Sequence, residues 1–185
     1  MSKKKASTGE KSGPVSRSAR RRRLWASGLA IAGAAAALVG YWAYRAAADL
    51  PGVKFADLGN AHISMATDPH VPYNSEPPTS GPHLPYIAPW GIHTTPIVRE
   101  LQVHNLEDGG VMVQYHCATP CPQLVEQLTA IVKRYDIQVI LAPYPGMKTR
   151  IALTAWTRLD AFDEFDEARI VRFIRAYRGI DHHKG

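Results

Sequence analysis

The chain has 185 residues, enough for one compact domain, and a formal net charge of +6. That charge is segregated: residues 1–50 hold ten Lys or Arg against two acids, or +8, while residues 51–185 hold twelve against fourteen, or −2. A nucleic-acid-binding domain carries its basic residues on the folded face, so this distribution excludes nucleic acid as a partner.

Residues 1–23 are rich in Ser, Lys and Arg and end in Arg20, Arg21, Arg22 and Arg23. Such a stretch buries too little apolar surface to fold alone and is expected to be a cytoplasmic tail. An uncharged run of 21 residues follows, from Leu24 to Tyr44. A helix of about 20 residues spans a bilayer core. Trp25 lies at one end of the run and Tyr41, Trp42 and Tyr44 at the other, like an aromatic belt. The expectation is a single transmembrane helix over 24–44, with the C-terminal part outside the cytoplasm by the positive-inside rule. The alternative is a cleaved signal peptide ending at Ala46-Ala47-Ala48. The two cysteines lie beyond the span and fit an oxidising compartment. The bacterial inner membrane, with a periplasmic domain, satisfies all of these points.

Residues 45–60 read as a linker, 61–180 as the extracytoplasmic domain and 181–185 as a C-terminal tail. Eight prolines punctuate residues 61–96. Proline has no amide proton for a ladder or helix, which predicts a long irregular loop wrapped around something. Val98–Asn105 and Val111–Cys117 alternate like two strands of a β-hairpin around Glu107-Asp108-Gly109-Gly110. The register that keeps one face apolar sets Val103 opposite Tyr115 and Leu101 opposite Cys117. It would turn His104 and His116 to the same polar face. Pro122 opens a helix to about Tyr135, with Leu124, Leu128, Ile131 and Val132 on one stripe. Strands are expected over Ile137–Ala142 and Ile151–Thr157. A last helix is expected from about Phe165 to Arg178, with Gly179 as its stop. The order predicts a single small α+β domain: an antiparallel or mixed sheet with two helices packed on one face, and the proline-rich loop.

Six histidines fall between His62 and His116. Imidazole is the commonest neutral metal ligand. The candidate ligands are His62, His83, His104, Glu107, His116 and Met112, with copper placed before zinc; methionine would add soft sulfur for copper(I). Cys117-Ala-Thr-Pro-Cys121 is read as a disulfide at the start of the helix, with a redox or metal-binding pair as alternatives. Ser80 lacks a nucleophile elbow around it. Phosphate-binding and dinucleotide fingerprints are absent from the sequence.

Several elements occur in a recognisable order: His62; Pro77-Pro78, Gly81 and His83; Trp90-Gly91; His104, Leu106, Glu107 and Gly109; Pro143-Tyr144-Pro145; Ala155-Trp156. This order resembles the bacterial domain-of-unknown-function 3105 family over about residues 60–178. Aspartate stands at position 108 where the resembled pattern has histidine, and histidine at 93 where it has an aromatic residue. The resemblance implies a membrane-anchored extracytoplasmic domain and marks the same histidines as its site. The functional expectation is a transition-metal-binding domain. A metal-assisted envelope enzyme and a metal-free module binding an envelope partner are the alternatives.

Overall fold

The computed structural model describes residues 33–42, 44–45 and 50–183. The chain divides into two compact units between Asp49 and Leu50. In the first, helix α1 is described over residues 33–42 and 44–45, and it exposes Leu38, Val39, Tyr41, Trp42 and Tyr44. Among the described residues no helix is long and apolar enough to cross a membrane. The basic tail and residues 24–32 and 43 of the expected span lie outside the described residues.

The second unit is an α+β domain. Its elements are β1 (Val53–Lys54), β2 (Gly91–Ile92), α2 (Arg99–Glu107), β3 (Val111–Tyr115), α3 (Pro122–Val132), β4 (Val139–Pro143), β5 (Ile151–Ala155), β6 (Arg158–Phe162) and α4 (Glu167–Tyr177). The six strands form one mixed sheet in the order β1-β6-β5-β3-β4-β2. Strands β3 and β4 are parallel and joined through α3, while β5 runs antiparallel to both β3 and β6. A parallel pair needs such a crossover.

Strand periodicity sorts the core into two layers. Val111, Val113, Val139, Leu141, Ile151 and Leu153 face α3 and α4, meeting Leu128, Ile131, Ile170, Phe173 and Ile174. Met112, Ile140 and Ala142 face the other way, onto Val103 and Leu106 of α2, Ala88 and Trp156. Burying each large side chain contributes roughly 1.5–3 kcal/mol. Helix α3 starts with a proline in its first turn, where the missing amide costs nothing. At the start of α4 the Asp166 side chain accepts the Arg169 N–H at 3.0 Å, and Gly179 follows the helix at φ +86°.

Three expectations need correction. Residues 99–107 are the helix α2, not a strand, so the β-hairpin does not form. Tyr115 pairs with Pro143 and Ile151 instead of Val103. The alternation misleads because seven of the nine helical residues are buried; a helix enclosed on nearly every side shows no single apolar stripe. The expected hairpin loop is the turn from α2 into β3. There the Gly110 N–H donates to the Asn105 carbonyl at 2.8 Å, and a Cβ on Gly110 would lie 2.4 Å from that oxygen. Second, three helices pack on the sheet rather than two, with α2 on the face opposite α3 and α4. Third, the segment read as a linker belongs to the domain from Leu50 on. Its β1 pairs with β6, and the Tyr177 hydroxyl donates to the Pro51 carbonyl at 2.5 Å.

Candidate metal centre

The proline-rich loop has few amides to spend, so side chains and isolated bridges hold it down. Asn105 of α2 grips Ala88 from both sides: its Oδ1 accepts the Ala88 N–H and its Nδ2 donates to the Ala88 carbonyl, both at 2.9 Å. The Tyr73 hydroxyl donates to the Pro82 carbonyl at 2.6 Å. A single parallel bridge sets His62 beside His83. It is made by Ile63 N–H to the His83 carbonyl at 2.8 Å and His83 N–H to the Ala61 carbonyl at 3.0 Å. Gly81 sits at φ +122°, and a Cβ there would lie 3.2 Å from the Tyr73 ring. The tight step at Gly81 is what lets His83 turn inward. Helix α2 supplies the opposite wall. His104 and Glu107 are three residues apart and share one face, with Asp108 next on the same side.

His62, His83, His104 and Glu107 each offer a donor atom, and these four atoms all lie within 4.8 Å of one another. The rings of His62 and His104 are stacked at 5.2 Å, and His83 stands edge-on to both at 5.0 Å. His83 is fully buried, as is Glu107; His104 is 9% exposed.

Hydrogen bonds fix which nitrogen His104 presents and occupy both nitrogens of His83. The His104 Nδ1–H donates to the Leu84 carbonyl at 2.6 Å, which leaves Nε2 as a lone pair pointing into the site. His83 Nδ1 lies 2.8 Å from the Gly81 carbonyl and Nε2 lies 2.9 Å from Glu107 Oε2. Both neighbours are acceptors, while a neutral imidazole has one proton. Burial, the dominant influence, pushes the His83 pKa down and disfavours the imidazolium; the Gly81 carbonyl and Glu107 pull the other way. A neutral His83 therefore sets a lone pair against a carboxylate oxygen unless a proton or a metal cation lies between them. The other oxygen, Glu107 Oε1, accepts from Asn60 Nδ2 at 2.6 Å. Histidines anchored through one nitrogen on a carbonyl and presenting the other are the usual outer support of a metal site.

The C-terminal segment closes the open side. The His182 N–H donates to the Glu107 carbonyl at 2.9 Å, and its ring stacks on Trp156 at 5.8 Å. Burial lowers the His182 pKa, whereas the hydrogen bond to Asp181 raises that of His183. His183 Nε2 reaches to 3.5 Å from Glu107 Oε2 and 3.6 Å from Asp108 Oδ1.

Of the residues expected at the site, the fold brings together His62, His83, His104 and Glu107. It does not bring His116 or Met112. Met112 is enclosed in the apolar layer between β3 and α2. His116 follows β3, donates its N–H to the Arg150 carbonyl at 3.0 Å, and lines an open groove of about 830 Å3 beside Cys117 and Cys121. Its placement at the site followed from the hairpin and falls with it. The two cysteines form a disulfide with Cα atoms 6.1 Å apart. Sequence reasoning missed Asn60, assigned to the linker, and His183, assigned to the tail. It also left Asp108 out. The Asp181-His182-His183 triplet was the available signal for the tail.

The family model described as Protein of unknown function (DUF3105) matches residues 62–184. The chain belongs to that family. The match begins at His62 and extends past His183, so the domain-of-unknown-function 3105 region takes in all six donors: His62, His83, His104, Glu107, Asp108 and His183. No curated protein and no solved structure matches the chain.

Proposed function

We propose that this chain is a membrane-anchored, extracytoplasmic metal-binding domain whose site is formed by His62, His83, His104 and Glu107. The observation that carries this reading is the position of His83 between two acceptors, the Gly81 carbonyl and the Glu107 carboxylate. A divalent cation at Nε2 and Oε2 satisfies both groups at once, and the Nδ1–H keeps its carbonyl partner. Three imidazole nitrogens and one carboxylate oxygen suit copper(II) and zinc. Copper(II) comes first, because it heads the affinity order for such ligands. Copper(I) is disfavoured, since Met112 is enclosed in the core and both sulfurs of the cysteines are bonded to each other. Four protein donors make a closed shell, which favours holding a metal over catalysis at an open position.

The anchor rests on the uncharged run 24–44 behind a tail of charge +8, together with the apolar side chains that α1 exposes. The disulfide agrees with an oxidising compartment. A reporter active only outside the cytoplasm, fused after Gly185, is expected to be active; an inactive fusion in a stably expressed protein reverses the topology.

The metal reading is tested on the purified full chain, loaded with copper(II), desalted and analysed for metal. One equivalent is expected. His62→Ala, at an exposed position, should fold normally and weaken binding; His83→Gln combined with His104→Gln should abolish it. A wild-type chain that retains no copper or zinc, or binding unmoved by these changes, overturns the reading and leaves the metal-free partner module.

A further inference from the structure

Beside the inner four donors lies a second group, His104, Asp108 and His183, whose donor atoms also fall within 4.8 Å of one another. Its spacing is that of ligands around one ion. Bonds of about 2.0–2.1 Å place tetrahedral donors roughly 3.3 Å apart. Here His104 Nε2 lies 3.7 Å and His183 Nε2 lies 3.6 Å from Asp108 Oδ1.

His183 is built for the role in the same way as His104. Its Nδ1–H donates to Asp181 Oδ1 at 2.7 Å, and its backbone N–H donates to the same oxygen at 2.8 Å. That leaves Nε2 turned toward Asp108 and Glu107. The segment carrying it is tied down twice, by Gly179 N–H to the Gly109 carbonyl at 2.8 Å and His182 N–H to the Glu107 carbonyl at 2.9 Å.

The two groups share His104. With its Nδ1 proton held by Leu84, His104 has one lone pair to give, at Nε2, and one lone pair binds one ion. The groups are therefore alternative positions for one metal, not two halves of a dinuclear centre. Apart from the exposed His62, they also differ in depth. The side chains of His183 and Asp108 are 46% and 29% exposed, whereas those of His83 and Glu107 are 0% and 1% exposed. Glu107 Oε2 touches both groups, lying 2.9 Å from His83 Nε2 and 3.5 Å from His183 Nε2.

We infer that His104, Asp108 and His183 form an outer docking position that receives a hydrated divalent metal ion and passes it inward through His104. This rests on the proposed metal-binding function. In the transfer the His104–metal bond persists. Bonds to Asp108 and His183 break as bonds to Glu107, His83 and His62 form. Remaining water ligands leave to solvent, and so does any proton shared by His83 and Glu107. The metal keeps its charge throughout. The aspartate at 108 thus acts at the surface, as a carrier of the incoming ion, while His83 and Glu107 hold it inside.

The test uses the full chain with zinc as the probe. Stopped-flow mixing measures uptake, and an excess of a chromophoric chelator measures release. His183→Ala and Asp108→Asn should each keep one equivalent of zinc and the wild-type equilibrium affinity. Both should slow uptake and release by the same factor, about tenfold or more, because a lost route slows both directions. His183 is half exposed, so its replacement leaves the fold intact. Unchanged rates at full stoichiometry overturn the docking position and leave the proposed function standing. Loss of stoichiometry in His183→Ala makes it a resident ligand and also overturns the inference, as does binding of two equivalents by the wild type. A wild type that binds no zinc or copper removes the proposed function as well.

Discussion

Replacing Glu107 with glutamine should move stability and metal affinity in opposite directions. In the metal-free chain, Glu107 Oε2 lies 2.9 Å from the Nε2 of a histidine whose Nδ1–H is spent on the Gly81 carbonyl. Either a buried proton is held there or two lone pairs face each other. Glutamine has the same shape and adds an N–H. Its Nε2–H would donate to His83 Nε2, and its oxygen would still accept from Asn60, now 2.6 Å from Oε1. The His83 lone pair and the Asn60 N–H are then both satisfied. Repairing one buried unsatisfied pair contributes about 1–2 kcal/mol, which is roughly 3–8 °C in the midpoint of a domain of this size. The same change removes the anionic ligand, so copper(II) or zinc affinity should fall by about 100-fold or more. The assay is thermal unfolding of metal-free wild type and Glu107→Gln, followed by metal titration of both. A variant that melts well below wild type would mean that a buried His83–Glu107 ion pair holds the site, since losing one partner of such a pair costs about 3–5 kcal/mol. That result, with metal affinity unchanged, would remove Glu107 from the ligand set.

Gly110→Ala should destabilise the domain by about 1–3 kcal/mol in a denaturant melt, because the new Cβ would meet the Asn105 carbonyl at 2.4 Å and the Trp90 ring at 2.7 Å. Burial lowers the His83 pKa below the ordinary value of about 6.5. Its contribution to stability is therefore complete above about pH 6.5 and is lost as pH falls through the lower folded-state value. The metal-free midpoint should drop over that acidic window, and bound metal should be released there; His83→Gln should flatten the first effect. Replacing Cys117 and Cys121 with serine should cost about 2 kcal/mol by the loop-entropy estimate. It should leave metal stoichiometry unchanged, since the disulfide lines a groove with His116 and contributes nothing to the four donors.

Two kinds of element are legible in the sequence: helices with one wet side and strands buried on both faces. Helices α3 and α4 bury one stripe each, so their apolar residues repeat at helical spacing. Strands β3, β4 and β5 are short apolar runs because both faces of the sheet are covered. Helix α2 was illegible for the opposite reason. It is enclosed between the sheet and the proline-rich loop, and its polar residues are buried because they have partners. Gln102 donates to the Ile97 carbonyl and accepts from Gln114, Asn105 grips Ala88, and His104 and Glu107 build the site. The two-residue strands β1 and β2 are too short to leave a period, and each is defined only by its neighbour in the sheet. At the candidate site, the order of the His83 and His104 motifs pointed to residues that the fold brings together. The geometry first assigned to them, a hairpin face, was wrong, and His116 entered with it. Asn60 and His183 come from segments far from α2 in sequence, and only the closed fold places them beside Glu107.

X-ray absorption at the metal edge of the copper-loaded full chain reads the ligand atoms themselves. A shell of nitrogen and oxygen at about 2.0 Å, with the outer-shell scattering of three imidazoles, is predicted from His62, His83, His104 and Glu107. Sulfur at about 2.3 Å, or a shell without imidazole scattering, would rule out this ligand set.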